Sequence, residues 1–486
     1  MPAQDVDVVV VGMGPGGEHV ATRLAGAGLD VVGVEARLLG GECPYYACVP
    51  TKMMVRAGDV LAEARRVDGL AGAAQASPDF APVATRIRRE ATDDWDDGVA
   101  VRRFADAGGR FVRGRGRITA PGEVTVSTSD GDQVFRARRA IVLNPGTEPT
   151  APPIDGLADT PYWTNRDAVA AERAPGSLLV LGAGPVGCEF AQVFARFGSR
   201  VTVIEVKERL LAGEEPEASE ILTKAFEAEG ITVRAGVQVR RFDHDGAGGG
   251  FTATLESGEE LSAQRLLVAA GRRTDLAALG VGALGLDENA RTLDVDERMR
   301  LAPGVWAVGD VTGRGAFTHV SMYQARIAAA DILASGGDGG DGGDGGDGGG
   351  GGGDAGAGDG EGERADYRAV PRVTFTDPEV ASVGMTEAQA RERGLTVRTG
   401  STDLSASARG WIHRAGTGLV KVVEDAERGV LVGATVVGPY GGEVLGALAV
   451  AVHGEVPTER LRRMIYAYPT FHRAVESALD DLHARG

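Results

Sequence analysis

Cysteine is scarce here: Cys43, Cys48 and Cys188 are the three in 486 residues. That is too few for a disulfide framework and fits a reducing compartment, so a cytoplasmic location is expected. Long apolar runs are missing as well, and nothing approaches the ~18 residues that cross a bilayer. The apolar stretch Val6–Val11 has no basic segment before it and runs into glycines, so it reads as a strand and not a signal peptide. Positive charge is in the minority, with 51 basic against 69 acidic residues and a net charge of −18. Such a field repels nucleic acid and anionic membrane, and neither is expected as a partner. Lysine is rare, at four against 47 arginines. No metal site is assigned.

Glycine is abundant, at 74 residues. The run Asp5–Val11 has the β-branched composition of a buried parallel strand and ends at Gly12. Gly12-Met-Gly14-Pro-Gly16-Gly17 follows, then a helical stretch to about Gly28 and a second strand, Asp30–Glu35. The pattern recurs: strand Ser177–Leu181, then Gly182-Ala-Gly184-Pro-Val-Gly187, a helix to about Phe197, and strand Arg200–Glu205. In both units an acidic residue lies 23 positions after the first glycine, at Glu35 and at Glu205. Glycines at these places let the backbone turn sharply and approach a pyrophosphate, whose charge then sits at a helix N-terminus. The acidic residue accepts hydrogen bonds from a ribose hydroxyl. Two copies in register predict two dinucleotide sites. Strands expected between and after them are Arg110–Arg117, Val124–Ser127, Val134–Leu143, Arg265–Ala270 and Gly304–Val308.

Residues Gly336–Gly360 are almost pure Gly and Asp, a composition that buries too little apolar surface to fold, and they are read as a disordered linker. The repeated Gly-Gly-Asp lacks the apolar position of a calcium-binding β-helix repeat. Beyond it, strands Ala369–Phe375, Gly418–Glu424 and Val430–Val437 and helices around Glu443–His453 and Phe471–His483 make a separate α+β domain.

The chemical centre is Gly40-Gly-Glu-Cys43-Pro-Tyr-Tyr-Ala-Cys48-Val-Pro-Thr-Lys52. Cysteines five apart on a regular helix diverge by about 140°, too far to bond. Pro44 suits a first helical position and disfavours helix at Cys43, so the pair is expected to close across a distorted first turn. A thiol at a helix N-terminus is favoured as thiolate. Taken alone, the segment is better read as two structural cysteines, and only its context reverses this.

The segment resembles the Gly-Gly-x-Cys-x4-Cys-x-Pro-(Ser/Thr)-Lys motif of the class I pyridine nucleotide–disulfide oxidoreductases, the dihydrolipoamide-dehydrogenase-like flavoproteins. The resemblance covers nearly the whole chain outside the Gly/Asp run. It extends to Leu301–Asp310, similar to the second flavin motif, and to Phe375–Glu387, similar to the opening of the dimerisation domain. It implies an α/β fold with two Rossmann-like dinucleotide-binding domains and a C-terminal α+β dimerisation domain. The domains would be 1–149 with 271–335 for FAD, 150–270 for NAD, a linker over 336–365, and 366–486 for dimerisation. Gly12, Gly14, Gly16, Gly17, Glu35, Gly146, Gly309 and Asp310 would hold FAD. Gly182, Gly184, Gly187 and Glu205 would hold NADH. A carboxylate at Glu205 repels a 2′-phosphate and makes NADPH the lesser choice, although Lys207 and Arg209 lie close by. Cys48 would face the flavin and Cys43 the substrate, with Lys52 paired to Glu189. Cys188 reads as a packing residue.

The resemblance also implies a homodimer whose C-terminal domain completes the partner's site, where the family carries His-Pro-Thr-x-x-Glu. Here Tyr468 replaces the histidine and Arg473 the glutamate. A phenol donates a proton but is a poor base at neutral pH. His472 and Glu476, spaced i, i+4 on the last helix, are a candidate replacement pair. Asn144-Pro-Gly146 replaces the common Ala-Thr-Gly. Mercuric reductases share the tyrosine but need a further C-terminal cysteine pair, and no cysteine follows Cys188. The expected function is electron transfer from NADH through FAD to a Cys43–Cys48 disulfide and on to a small-molecule or protein-bound disulfide acceptor. Alternatives are an NADH:quinone or dye reductase, in which the flavin reduces its acceptor directly, and a non-catalytic flavin-binding partner protein.

Overall fold

The computed structural model describes residues 2–246, 248–335 and 363–484. The expected linker falls almost wholly outside them. The described chain clusters into two compact units, one of residues 1–45, 92–148 and 273–366, the other of 46–91, 149–272 and 367–486.

The first unit is built on an eight-stranded sheet. Gln4–Val11 lies at its centre, parallel to Val31–Glu35 on one side and to Gly131–Leu143 on the other. The valines of this strand have no accessible surface from Val8 to Val10, as expected of a strand covered on both faces. Val305–Ala307 extends the sheet in parallel beyond Gly131–Leu143, and Arg110–Arg113 extends it beyond Val31–Glu35. The expected strand Arg110–Arg117 is in fact two, broken at Gly114. Arg115–Ala120 turns into an antiparallel ribbon with Glu123–Thr128, which pairs in turn with Gly131–Leu143. Helix Pro15–Gly26 packs beside helix Thr318–Ala334.

The second unit holds three sheets. A four-stranded parallel sheet runs in the order Thr232–Ala235, Arg200–Glu205, Ser177–Leu181, Arg265–Val268. A three-stranded antiparallel sheet, Val239–His244, Phe251–Leu255 and Glu260–Ala263, packs its phenylalanines into the same core. The C-terminal sheet is antiparallel and five-stranded, in the order Pro371–Thr374, Glu379–Gly384, Val430–Gly438, Leu419–Asp425, Val397–Thr402. Helices Gly441–His453 and Ala474–Ala484 cover it and bury Leu445, Leu448, Leu479 and Leu482. Helix Cys48–Arg65 belongs to this unit and lies against helix Pro185–Arg196. Gly58 permits the approach, because a Cβ there would already meet Arg196 Cδ at 3.3 Å.

Candidate active site

The two glycine turns are built alike. Gly12 has φ +91°, and a Cβ on it would lie 2.1 Å from the Asn144 carbonyl oxygen. Gly182 has φ +104°, and its Cβ would lie 2.6 Å from the Ala269 carbonyl oxygen. Only glycine fits such a positive φ against a neighbouring strand. Gly17 and Gly187 each lie against the carbonyl of their own first glycine, where a Cβ would sit at 2.0 Å. Gly14 and Gly184 cap the two helices in extended geometry. A Cβ on Gly184 would meet nothing within 4 Å, and one on Gly14 only the Asn144 amide at 3.3 Å. Gly12, Gly17, Gly182 and Gly187 therefore serve packing, while Gly14 and Gly184 leave backbone open at a helix N-terminus, where a pyrophosphate fits.

The acidic residues repeat one another too. Glu35 Oε2 accepts from the Met13 amide (2.9 Å) and Oε1 from the Arg37 amide (2.8 Å). Glu205 Oε2 accepts from the Ala183 amide (2.7 Å) and Oε1 from the Lys207 amide (2.9 Å). Each carboxylate thus ties its strand end to its glycine turn and keeps lone pairs for a diol. Burial pushes the Glu35 carboxyl up, and the two amides pull against it. Arg209, which could have faced a 2′-phosphate, donates instead to the Glu214 carbonyl (2.9 Å).

In the first unit a polar network gathers the remaining expected flavin residues. Thr147 Oγ1 donates to Asp310 Oδ2 (2.7 Å), and Gln324 Oε1 accepts from the Gly309 amide (2.6 Å). Asn144, 6% exposed, donates from Nδ2 to the Gly12 carbonyl and accepts from Ser321 Oγ, both at 3.3 Å. Thr274 fixes the Gly146 carbonyl at 2.6 Å. Sequence reasoning assigned no role to Asn144, Thr147, Ser321 or Gln324. Their signal in the sequence is only that polar residues interrupt apolar ends of elements.

Cys43 lies in a short helical turn, Glu42–Tyr45, half-buried. Its loop is drawn to the first glycine turn. The Gly40 amide donates to the Met13 carbonyl (2.8 Å), and a Cβ on Gly41 would lie 2.8 Å from Gly14 Cα. Asp97 accepts from the Leu39 amide (2.6 Å) and from Arg113. Cys48, exposed, is the first residue of the long helix Cys48–Arg65. This corrects the expected role of Pro44. It lies inside the short turn with Cys43, and the chain breaks at Ala47 (φ −133°, ψ −108°), so the helix N-terminus belongs to Cys48.

One turn further, Lys52 Nζ donates to Glu189 Oε2 at 2.6 Å, as expected. Glu189 is 6% exposed, and its Oε1 accepts from the Phe375 amide (3.0 Å). Cys188 is fully buried, with its thiol on the Ala183 carbonyl (3.4 Å); burial raises its pKa beyond that of a working thiol.

The C-terminal segment departs from the expected pairing of His472 with Glu476. A 3₁₀ turn over Phe471–Arg473 precedes helix Ala474–Ala484, so the two do not share a regular α-helical face. Glu476 pairs with Arg473 (2.9 Å), and the His472 ring lies 6.1 Å from that of Tyr466. Arg473 also lies 5.8 Å from the ring centre of Tyr468, which is 72% exposed.

Comparison with known proteins agrees with this geometry. The family model described as pyridine nucleotide-disulphide oxidoreductase matches residues 6–325, and that of its dimerisation domain matches 370–479. A mercuric reductase of Streptomyces lividans is 32% identical over 484 residues, 97% of this chain and 95% of that protein. A dihydrolipoyl dehydrogenase of Thermus scotoductus is 31% identical over 98% of this chain and 97% of its own. The Cu(II) complex of the HOCl-induced flavoprotein disulfide reductase RclA from Escherichia coli superposes with a TM-score of 0.81, at 25% identity over 99% of both chains. LpdA from Mycobacterium tuberculosis, at 23% identity and a TM-score of 0.82, shares the fold. The two glycine turns fit the FAD and NAD(P)H that this family uses. No described helix is long and apolar enough to cross a membrane. The chain belongs to the pyridine nucleotide-disulphide oxidoreductases, as an FAD-dependent oxidoreductase with the family's dimerisation domain.

Proposed function

We propose that this flavoprotein takes electrons from NADH and delivers them through a Cys43–Cys48 couple to a disulfide acceptor. The observation that carries the reading is the Lys52–Glu189 ion pair at 2.6 Å, one turn from Cys48 at a helix N-terminus. The chain has only four lysines, and this one is held by a buried carboxylate. Residues 1–149 and 271–335 would form the FAD domain, 150–270 the NAD domain and 366–486 the dimerisation domain, as expected from the sequence. Gly12, Gly14, Gly16, Gly17, Glu35, Gly146, Gly309 and Asp310 would hold FAD, and Gly182, Gly184, Gly187 and Glu205 would hold NADH. Bound FAD supplies the two-electron relay between nicotinamide and dithiol.

The residues' own work follows from thiol chemistry. The Cys43 thiolate attacks one sulfur of the acceptor disulfide and releases the other as thiolate. The Cys48 thiolate then attacks Cys43 Sγ, which frees the second acceptor thiolate and reforms the Cys43–Cys48 bond. The sum is NADH, one proton and one disulfide giving NAD⁺ and two thiols. Tyr468 is suited to protonate a leaving thiolate, since a phenol is a serviceable acid and a weak base at neutral pH. Glu205, with Arg209 turned to a backbone carbonyl, favours NADH over NADPH.

A second reading, an NADH:quinone or dye reductase, is favoured by the C-terminal segment, where Glu476 is engaged by Arg473 and not by a histidine. An anaerobic NADH titration tests the first reading. A long-wavelength thiolate-to-flavin absorption band after uptake of two electrons is expected. Bleaching without that band would refute the disulfide route and turn attention to quinones.

A further inference from the structure

Two helices and one turn in the second unit interlock through polar side chains that electron transfer does not by itself require. Helix Cys48–Arg65 and its C-cap carry Lys52, Asp59 and Arg66 at intervals of seven. Helix Pro185–Arg196 carries Glu189, Gln192 and Arg196, three and four apart. Both spacings align side chains on one helical face. Between the two rows comes the turn that joins strands Pro371–Thr374 and Glu379–Gly384. The Phe375 amide takes Glu189 Oε1, and the Phe375 ring lies 4.7 Å from Lys52 Nζ. Asp377 and Gln192 exchange two hydrogen bonds, amide to Oε1 at 2.7 Å and Nε2 to carbonyl at 2.8 Å. Asp377 Oδ2 accepts from Arg196 (2.8 Å) and Arg66 (2.5 Å), and Arg196, 2% exposed, is completed by Asp59 (2.5 Å) and Glu229 (2.7 Å).

Glu189 has two oxygens in a buried place, and among the described residues Oε1 is satisfied by the Phe375 amide alone. A buried carboxylate oxygen without a partner is costly, so the amide fixes how the carboxylate points. Lys52 is then bounded on one side by that carboxylate and on another by an aromatic face, which attracts a cation.

We propose that the Phe375–Pro378 turn is a positioning element of the redox centre, with Phe375 acting through Lys52 and Glu189 and Asp377 anchoring the turn to both helices. The proposal rests on Cys48 facing the flavin, as the resemblance implies, which would bring Lys52, one turn further along the helix, close to it; it does not rest on the cysteines being in the electron path.

The test is a double-mutant cycle on the purified, FAD-loaded protein with Phe375→Ala and Lys52→Met, read from the visible spectrum of the resting oxidised protein and from NADH turnover. Phe375→Ala alone should shift the flavin bands and lower kcat about tenfold, with KM for NADH within about twofold. In the Lys52→Met background the same substitution should change kcat by less than about twofold and leave the bands where Lys52→Met puts them. Phe375→Tyr should restore both. Equal effects in the two backgrounds, or no effect in either, would overturn the proposal. Phe375→Leu carries the same comparison should the alanine variant fail to accumulate. Failure of the disulfide reading appears elsewhere, as a missing long-wavelength band in the unsubstituted protein.

Discussion

Lys421→Met should cost this protein much of its stability while leaving its redox residues untouched. Lys421 sits on strand Leu419–Asp425, 5% exposed, and donates to Glu215 (3.0 Å) and Glu217 (2.8 Å), with Glu387 also at 3.0 Å. Burial favours the neutral amine, but the Glu217 and Glu215 carboxylates outweigh it and hold the ammonium charged well above its ordinary range. Methionine fills similar space and removes the charge, leaving three carboxylates facing one another. Glu217 and Glu387 are partly exposed and can rehydrate, so their share is discounted. Glu215 is 2% exposed and cannot. Stranding a buried charge costs about 3–5 kcal/mol, and with one of three carboxylates trapped we expect about 3 kcal/mol. At about 2–4 °C per kcal/mol for a large unit, the melting midpoint should fall by about 6–12 °C. Glu215→Gln keeps the acceptor for the Glu387 amide (2.7 Å) and removes the charge. In the Lys421→Met background it should recover about half the loss. Differential scanning calorimetry of the four proteins at neutral pH is the assay. A loss below about 1 kcal/mol for Lys421→Met, or no recovery in the double variant, would refute the reasoning.

Three further outcomes can be checked. Cys48→Ser should reduce NADH-dependent disulfide reduction more than a thousandfold on the scale of a lost nucleophile; undiminished turnover with a quinone in the same variant would favour the second reading. Glu205→Ser should narrow the ratio of kcat/KM for NADH over NADPH by about tenfold or more, on the strength of one removed carboxylate, and an unchanged ratio would show that Glu205 does not face the 2′ position. Burial pushes the Asp377 carboxyl up, but Arg66 and Arg196 outweigh it and hold the pKa below the ordinary value. A depressed folded pKa contributes stability above the unfolded pKa, near 3.9, and loses it as pH falls through the folded value. The gap in melting temperature between the unsubstituted protein and Asp377→Asn should therefore be full at neutral pH and close below about pH 4; a gap that widens in acid would contradict the assignment.

The elements carrying the glycine turns were legible because their causes are local. A valine run followed by Gly12 or Gly182, with an acidic residue one βαβ unit later, leaves little else for the backbone to do, and both carboxylates end on the amide after the first glycine. The cysteine segment was legible as chemistry but not as geometry. Pro44 suggested a helix starting beside Cys43, whereas the break falls at Ala47, because the Cys43 turn follows a loop fastened by Gly40, Gly41 and Asp97 to residues far away. His472 and Glu476 have helical spacing, yet the local turn is 3₁₀ and a nearer arginine claims the carboxylate.

What the sequence determined by itself is the set of short-range patterns: two dinucleotide turns, a cysteine pair ahead of a lysine, and an α+β domain at the C-terminal end. What only the tertiary structure decided is which distant polar groups meet. Asn144 finds Ser321 across 177 positions, Arg196 finds Asp377 across 181, and Lys421 finds Glu215 across 206. No periodicity announces such pairs. They are chosen because a charge or amide buried by folding must find a partner, and only packing says which one is within reach.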